Sequence, residues 1–256
     1  VEIIMKEIKL SFLILLVFTT LLFAGEKLSY VDIVEQMTDL ERLAELPEAG
    51  YKCGQASSRD RRSKYDPNTG KYIQWYANGD GDGFVRKEGD KTVLAEIEGP
   101  AVIWRIWSAL PQEGHVKIYL DGDEEPAVDL PFIGYFNGEN EPFDKSAMVY
   151  MAAKGQNSYI PIPFNESCKI VAEKGWGKFF HFTYTEFPDD VTLPRFDMEL
   201  SEEEAVALER VNTVLSNCGV DPAGQRKGEK VSQYKIKIGS GETLDVAKIT
   251  GERAIT

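Results

Sequence analysis

The sequence predicts an all-β fold: a jelly-roll β-sandwich with flanking helices, followed by the truncated start of a second jelly roll. Between residues 51 and 187, short alternating apolar segments are separated by turns rich in Gly, Pro, Asn and Asp. Such a pattern is typical of a sandwich or jelly roll rather than of a βαβ fold. In addition, Gly, Ala, Ile, Gly and Ile recur at the same spacing in 89–103 and 241–255. A repeat of this kind predicts one complete β unit and the first strands of another, although two unrelated strand–turn segments would give the same short match.

The composition and net charge of the chain indicate which kinds of molecule it could bind. The 256 residues are 43% hydrophobic and 28% charged, which is typical of a globular protein. The formal net charge of −13 disfavours nucleic acid and anionic membrane surfaces, because both attract clusters of Lys and Arg. A neutral or cationic partner, such as a sugar, remains compatible with this composition.

Residues 1–24 have the layout of a signal peptide. Lys6 and Lys9 precede a largely apolar run over 10–23, and Ala24 and Gly25 supply small residues for cleavage. The run is short for a transmembrane span, which needs about 20 apolar residues. We therefore expect a periplasmic or secreted protein without membrane attachment after cleavage; an uncleaved anchor is the alternative.

An N-terminal helix is predicted within the segment 25–49. Ser29 and Asp32 have the spacing of a capping box, and apolar residues at 33, 34, 37, 40, 43 and 44 repeat at helical spacing. Pro47 is expected to end the helix.

The first jelly-roll domain is predicted at 50–190, with strands over 92–97, 101–107, 115–120, 127–130, 158–161, 168–173 and 178–186. In the strand 101–107, strict alternation places Ile103, Arg105 and Trp107 on the face of Ala101. Because both faces are largely apolar, we expect this strand to be central and covered on both sides.

A helix and a linker are predicted over 191–230, before the second unit at 231–256. Ser201 and Glu204 form a second capping box, and Gly219 is the expected C-cap of the helix that follows. Strands at 234–238 and 244–249 would begin the truncated second jelly roll.

Neither a cofactor nor a metal site is indicated. Cys53, Cys168 and Cys218 match no zinc spacing, and their odd number leaves at least one thiol without an intramolecular partner. We interpret them as buried small apolar residues, with any disulfide pairing left open. Asp80 and Asp82 are spaced by Gly, but the later Glu of a calcium loop is absent, which favours a tight turn.

The densest polar segments are 59–66 and 78–83, and they supply the candidate binding residues. Arg62, Tyr65 and Asp66 combine donors, an acceptor and an aromatic face, a mixture that suits a sugar. A solvated loop with local ion pairs fits the same residues equally well. Glycosidic cleavage normally needs two carboxylates, and because no pair stands out by spacing, the catalytic residues stay unassigned.

Several motifs in a consistent order resemble glycoside hydrolase family 172, formerly domain of unknown function family 2961, over about residues 30–256. The resemblance rests on Arg61-Arg-Ser-Lys-Tyr-Asp66, Asn78-Gly-Asp-Gly-Asp82, Ala95-Glu-Ile-Glu-Gly-Pro-Ala-Val-Ile-Trp-Arg-Ile-Trp-Ser108, Ile118-Tyr-Leu-Asp-Gly-Asp123, Leu130-Pro-Phe132 with Tyr135-Phe136, and Asn157-Ser-Tyr-Ile-Pro-Ile-Pro-Phe164. The chain departs at Ile133-Gly134, where relatives often carry a Gly-Asp step.

The resemblance implies two jelly-roll units per subunit, homo-oligomers, and exo-acting hydrolysis or transfer on D-fructofuranosides or D-arabinofuranosides. It also implies a retaining mechanism with two Glu residues in the second jelly roll, beyond Thr256. We therefore expect an exported glycoside hydrolase or transglycosylase, present here as an inactive fragment. The alternatives are a non-catalytic carbohydrate-binding domain and a structural oligomerisation sandwich. The residues expected to contact the carbohydrate are Arg62, Tyr65, Asp66, Asn78, Asp80 and Trp107.

Overall fold

The computed structural model describes residues 25–47, 49–221, 224, 233–246 and 248. The predicted signal peptide lies outside them.

The chain begins with helix α1, Tyr30–Glu35, and a 3₁₀ turn, Glu41–Ala44, and helix α2, Glu202–Ser216, follows the last strand. Fifteen strands lie between the helices: β1 Lys52–Ser57, β2 Lys64–Asp66, β3 Lys71–Ile73, β4 Arg86–Glu88, β5 Lys91–Glu98, β6 Ala101–Ser108, β7 Leu110–Pro111, β8 His115–Leu120, β9 Val128–Pro131, β10 Val149–Ala152, β11 Gly155–Ser158, β12 Ile162–Phe164, β13 Ser167–Ala172, β14 Gly177–Lys178 and β15 His181–Glu186.

Two antiparallel sheets pack face to face, which confirms the predicted all-β sandwich. One has the order β1-β15-β6-β11-β10, with β12 also paired to β6, and the other has the order β4-β5-β13-β8-β9. The main core lies between them, because residues such as Ile103 and Phe182 from the first sheet share one buried cluster with Ile118 and Ile170 from the second. Successive strands often change sheet, as in Greek-key and jelly-roll sandwiches.

Strand β6 is central, as expected, but it is covered on both faces only at its Val102 end, and it does not alternate strictly. Thr183 of β15 pairs with Arg105, whereas its neighbour Tyr184 pairs with Ile103, so Trp104 is an extra residue in β6. This bulge turns Ile106 into the main core beside Ile103. The prediction that Ile103 and Arg105 share a face is therefore wrong.

We define the outer face as the side of the six-stranded sheet that points away from the main core. At one end of this face, Val102 of β6 packs in a second buried cluster with Ile33 of helix α1, and with Phe187, Val191 and Leu193. At the other end, Arg105 and Trp107 are half-buried. Helix α1 thus covers one end of the sheet, and the polar and aromatic end stays accessible.

Both predicted capping boxes are present. The Ser29 and Ser201 hydroxyls accept hydrogen bonds from the backbone N–H of Asp32 and Glu204, whose carboxylates accept from the capping residues in return. Helix α1 is shorter than predicted: Met37 still packs against the main core, but Leu40, Leu43 and Ala44 are exposed, Leu43 to 81%. The C-cap of helix α2 is Asn217 rather than the expected Gly219.

Two predicted strands are divided. The strand expected at 158–161 becomes the end of β11 and the approach to β12, because Pro161 has no N–H to offer a neighbouring strand. The strand expected at 178–186 is interrupted at Phe179, whose positive φ of 65° breaks the extended backbone between β14 and β15.

Residues 233–246 contain a turn but no strand, so the strand expected at 234–238 is not formed. The other expected strand, at 244–249, is absent over 244–246, and its residues 247 and 249 lie outside the described residues. Tyr234, Ile236 and Ile238 are exposed, and an extended segment becomes a strand only when its backbone groups find a partner. Gly241 nevertheless has the positive φ of Gly89, its equivalent in the proposed repeat. Within the described part of the chain, no helix is long and apolar enough to span a membrane.

Candidate functional site

Asp60 is the organising residue of the polar region. Its side chain is only 7% exposed. The carboxylate accepts hydrogen bonds from Arg62 Nη2 at 2.6 Å and Arg62 Nε at 3.0 Å, and from the backbone N–H of Gly79 at 2.8 Å. These hydrogen bonds to Arg62 hold the pKa of Asp60 well below its usual range. Asp60 is therefore ionised and ties the 59–62 loop to the 78–83 loop.

The 78–83 loop is fixed by contacts of its own. Asp80 Oδ1 accepts a hydrogen bond from the Asp60 backbone N–H at 2.7 Å. The backbone N–H groups of Gly81 and Gly83 both donate to the Ser58 carbonyl oxygen. A Cβ at Gly83 would lie 1.9 Å from the carbonyl oxygen of Arg59, so only Gly allows the two loops to approach this closely.

Together with the base of the β2–β3 hairpin, these loops border an open pocket of about 550 Å³. Its wall mixes guanidinium, ammonium and carboxylate groups with one aliphatic side chain, and it is formed by Asp60, Arg61, Arg62, Lys64, Ile73, Gln74, Gly79, Asp82 and Gly83. Such a lining offers both donors and acceptors to a polyhydroxylated ligand.

A pair of aromatic rings lies on the outer face at the end of the sheet where the Asp60 loop leaves β1, because Ser57 is paired with His181 and His181 with Trp107. The Trp107 and His181 rings have centroids 4.6 Å apart and planes inclined by 32°. Burial lowers the pKa of His181, the Arg105 charge lowers it further, and the Asp80 charge opposes both. Asp80 thus acts electrostatically on the ring pair and is hydrogen bonded to the Asp60 loop.

The structure brings together some of the residues predicted from the sequence. Arg62 lines the pocket, Asp80 fixes its loop, and Trp107 lies on the neighbouring outer face. Asn78 is exposed beside Gly79, on the same loop as Asp80.

Tyr65 and Asp66 lie instead on the β2–β3 hairpin, outside the pocket wall. Tyr65 is 57% exposed and packs edge-on against Tyr72. Asp66 accepts hydrogen bonds from the Asn68 backbone and the Thr69 hydroxyl, so it closes the hairpin turn. Their part in sugar binding stays a prediction.

Sequence reasoning missed Asp60, His181 and the Arg105–Asn157 pair. Asp60 stands among three arginines, a pattern that signals an ion pair but not which carboxylate would be buried. His181 on β15 and Asn157 on β11 lie on either side of Trp107, because each of them is paired with Trp107 in the sheet. Neighbours of this kind are set by non-local pairing and leave no local signal.

The cysteines are all free thiols in the structure. Cys168 is buried, as interpreted from the sequence, and burial raises the pKa of its thiol. Cys53 and Cys218 are exposed, so the interpretation as buried residues is wrong for those two. Among the residues that the structure describes, no group of His, Cys, Asp and Glu is arranged to hold a metal ion.

The fold agrees with comparison to known families. A model described as the GH172 first beta-sandwich domain matches residues 49–204, more than half of the chain. The chain therefore belongs to glycoside hydrolase family 172. No curated protein matches it.

Proposed function

We propose that this chain is the first sandwich of an exported glycoside hydrolase or transglycosylase that acts on furanosides such as α-D-fructofuranosides or D-arabinofuranosides. Membership of a glycoside hydrolase family supports the reaction class. The observation that carries a sugar-binding role for this sandwich is that the Asp60 loop leaves β1 at Ser57, which is paired with His181, and His181 is paired with Trp107.

In this proposal the sandwich binds and orients the sugar. Arg62 is held by Asp60 through two of its nitrogens, so its guanidinium is presented in one orientation. Lys64 and Asp82 supply a further donor and acceptor at the pocket wall. Fixed donors of this kind discriminate between sugars, because a hydroxyl that leaves them unpaired costs binding free energy.

We assign bond cleavage to a carboxylate pair from a second sandwich of the longer protein. A glycosidase acid needs a raised pKa. Among the described residues, the carboxyl groups with a resolved pKa shift are all shifted downward: Asp32, Asp60, Asp66, Glu88, Glu96 and Asp129. These groups are suited to stay ionised and to accept hydrogen bonds.

The second candidate is a sandwich that binds carbohydrate without cleaving it, because the polar pocket wall and the ring pair supply the hydrogen-bonding groups and the aromatic face that binding alone needs. The deciding experiment is to assay the full-length protein, without added metal or cofactor, on aryl α-D-fructofuranosides and α-D-arabinofuranosides beside the matching pyranosides. We expect turnover of a furanoside and none by residues 25–256 alone. Binding of a furanoside without turnover by the full-length protein would establish the second candidate instead.

A further inference from the structure

Arg105 is a half-buried cation that is held by an amide rather than by a carboxylate. Its Nε and Nη2 donate to Asn157 Oδ1 at 3.1 Å and 2.8 Å. Asn157 is only 4% exposed and is fixed in turn, because its Nδ2 donates to the Gly155 carbonyl oxygen at 3.1 Å. The guanidinium is therefore immobilised without being neutralised.

The surroundings of Arg105 are aromatic. Its guanidinium carbon lies 5.8 Å from the centroid of the Tyr159 ring, and Tyr159 stacks with Tyr150 at 6.0 Å. No ion pair joins Arg105, Arg59 or Arg61 to a carboxylate of the described chain, whereas Arg62, Arg86, Arg195 and Arg210 each have at least one. In a protein with a net charge of −13, an Arg that is ordered in this way leaves a local positive site.

The Trp104 bulge turns Arg105 and Trp107 together away from the main core, so the cation and the Trp107–His181 pair lie on the outer face. Arg105 and Trp107 are two positions apart on one face of β6, a separation of roughly 7 Å. If a sugar ring stacks on the Trp107 indole, an acidic group attached one or two bonds from that ring would be within reach of the Arg105 guanidinium. Guanidinium groups bind carboxylates and phosphates most strongly, through paired charge-assisted hydrogen bonds.

We propose that Arg105, Asn157 and the Trp107–His181 pair form a subsite for an acidic sugar unit, with its carboxylate or phosphate on Arg105 and its ring on Trp107. This inference rests on the proposed function, because it names the kind of glycan that the same outer face would receive. Asn157 acts as the positioning residue and Arg105 as the contact residue.

The test uses the full-length protein and measures Kd for D-fructose 6-phosphate and D-fructose, and for D-galacturonate and D-galactose, with inorganic phosphate as a further probe. We expect at least one acidic sugar to bind about tenfold more tightly than its neutral counterpart. The preferred acid then identifies the oxyanion as phosphate or carboxylate. Equal affinities for acidic and neutral sugars would overturn the proposal, as would inorganic phosphate binding as tightly as the sugar phosphate.

Arg105→Gln should remove the preference for the acidic sugar. Arg105→Lys should retain part of it, because an ammonium group keeps the positive charge but not the paired N–H donors of a guanidinium. The matched control is Arg195→Gln, which removes the same charge from an arginine that Asp123 neutralises at 2.7 Å. Loss of the preference in the control variant as well would show that net charge, rather than this subsite, is responsible. Turnover of neutral aryl furanosides is measured in parallel, so failure of the furanosidase proposal and failure of the subsite appear as separate results.

Discussion

The indole of Trp107 lies directly over the backbone of Gly155: a Cβ built on Gly155 would be 2.3 Å from Trp107 Nε1. Gly155 is on β11, the strand next to β6, and the Asn157 side chain also bonds to its carbonyl oxygen. The position of the indole therefore depends on the absence of a side chain at a neighbouring residue. A sugar-stacking surface needs a ring held in this way, in one orientation.

Gly155→Ala should consequently displace the indole and lower Tm. Because overpacking of this kind costs about 1–3 kcal/mol, we expect a loss of that order, with a change in tryptophan fluorescence. The decisive comparison is a double-mutant cycle: in a Trp107→Ala background, Gly155→Ala should cost much less. An identical cost in both backgrounds would mean that the two residues are not in contact.

The Asp60 contacts predict a specific loss of stability in acid. The pKa of Asp60 in the fold lies below 3.8, the ordinary value of an aspartate in the unfolded chain. The stabilisation is therefore fully present above about pH 4 and is lost as the pH falls toward the lower, folded-state pKa. Asp60→Asn should lower Tm most at about pH 6, somewhat less at about pH 3, and much less only as the pH falls to about 2 and below.

The difference in Tm between wild-type protein and Asp60→Asn isolates this effect, because other carboxylates with lowered pKa values, such as Glu88 and Glu96, are common to both proteins. A difference that stays constant from about pH 6 down to about pH 2 would show that the charge of Asp60 does not stabilise the fold.

The bulge at Trp104 predicts which side chains of β6 matter for the core. Ile106 is 1% exposed, so Ile106→Ala should destabilise the sandwich by about 2–5 kcal/mol. Arg105→Ala should cost distinctly less, because Arg105 faces outward. Denaturant unfolding of both variants measures the two losses of stability. A larger loss for Arg105→Ala than for Ile106→Ala would show that the side chains of β6 alternate strictly, without the bulge.

Much of the sandwich could be predicted from the sequence because strands β5, β6, β8 and β13 bury apolar side chains at short intervals. The edge strands β1 and β10 were missed, since an edge strand buries little: β1 runs from Lys52 to Ser57 with mostly exposed or half-buried side chains. The bulge was missed for a different reason. Every residue from Val102 to Trp107 except Arg105 is apolar, so composition does not reveal where the alternation breaks.

The candidate site was only partly predictable. Local polarity pointed to the 59–66 and 78–83 segments, and Asp60 does join them. Polarity could not separate Arg62, which lines the pocket, from Asp66, which closes a turn. His181 and Asn157 meet Trp107 through sheet register, which depends on how the whole sandwich assembles.

The most direct test of a sugar site on this sandwich is kcat/KM of full-length Trp107→Ala on the aryl furanoside that the wild-type enzyme turns over. Loss of a stacking contact is worth about 1.4 kcal/mol or more, so kcat/KM should fall about tenfold or further. Trp107→Phe, which keeps an aromatic face, should recover much of the loss. Wild-type kcat/KM in a folded Trp107→Ala enzyme would contradict the assignment of this face to sugar binding.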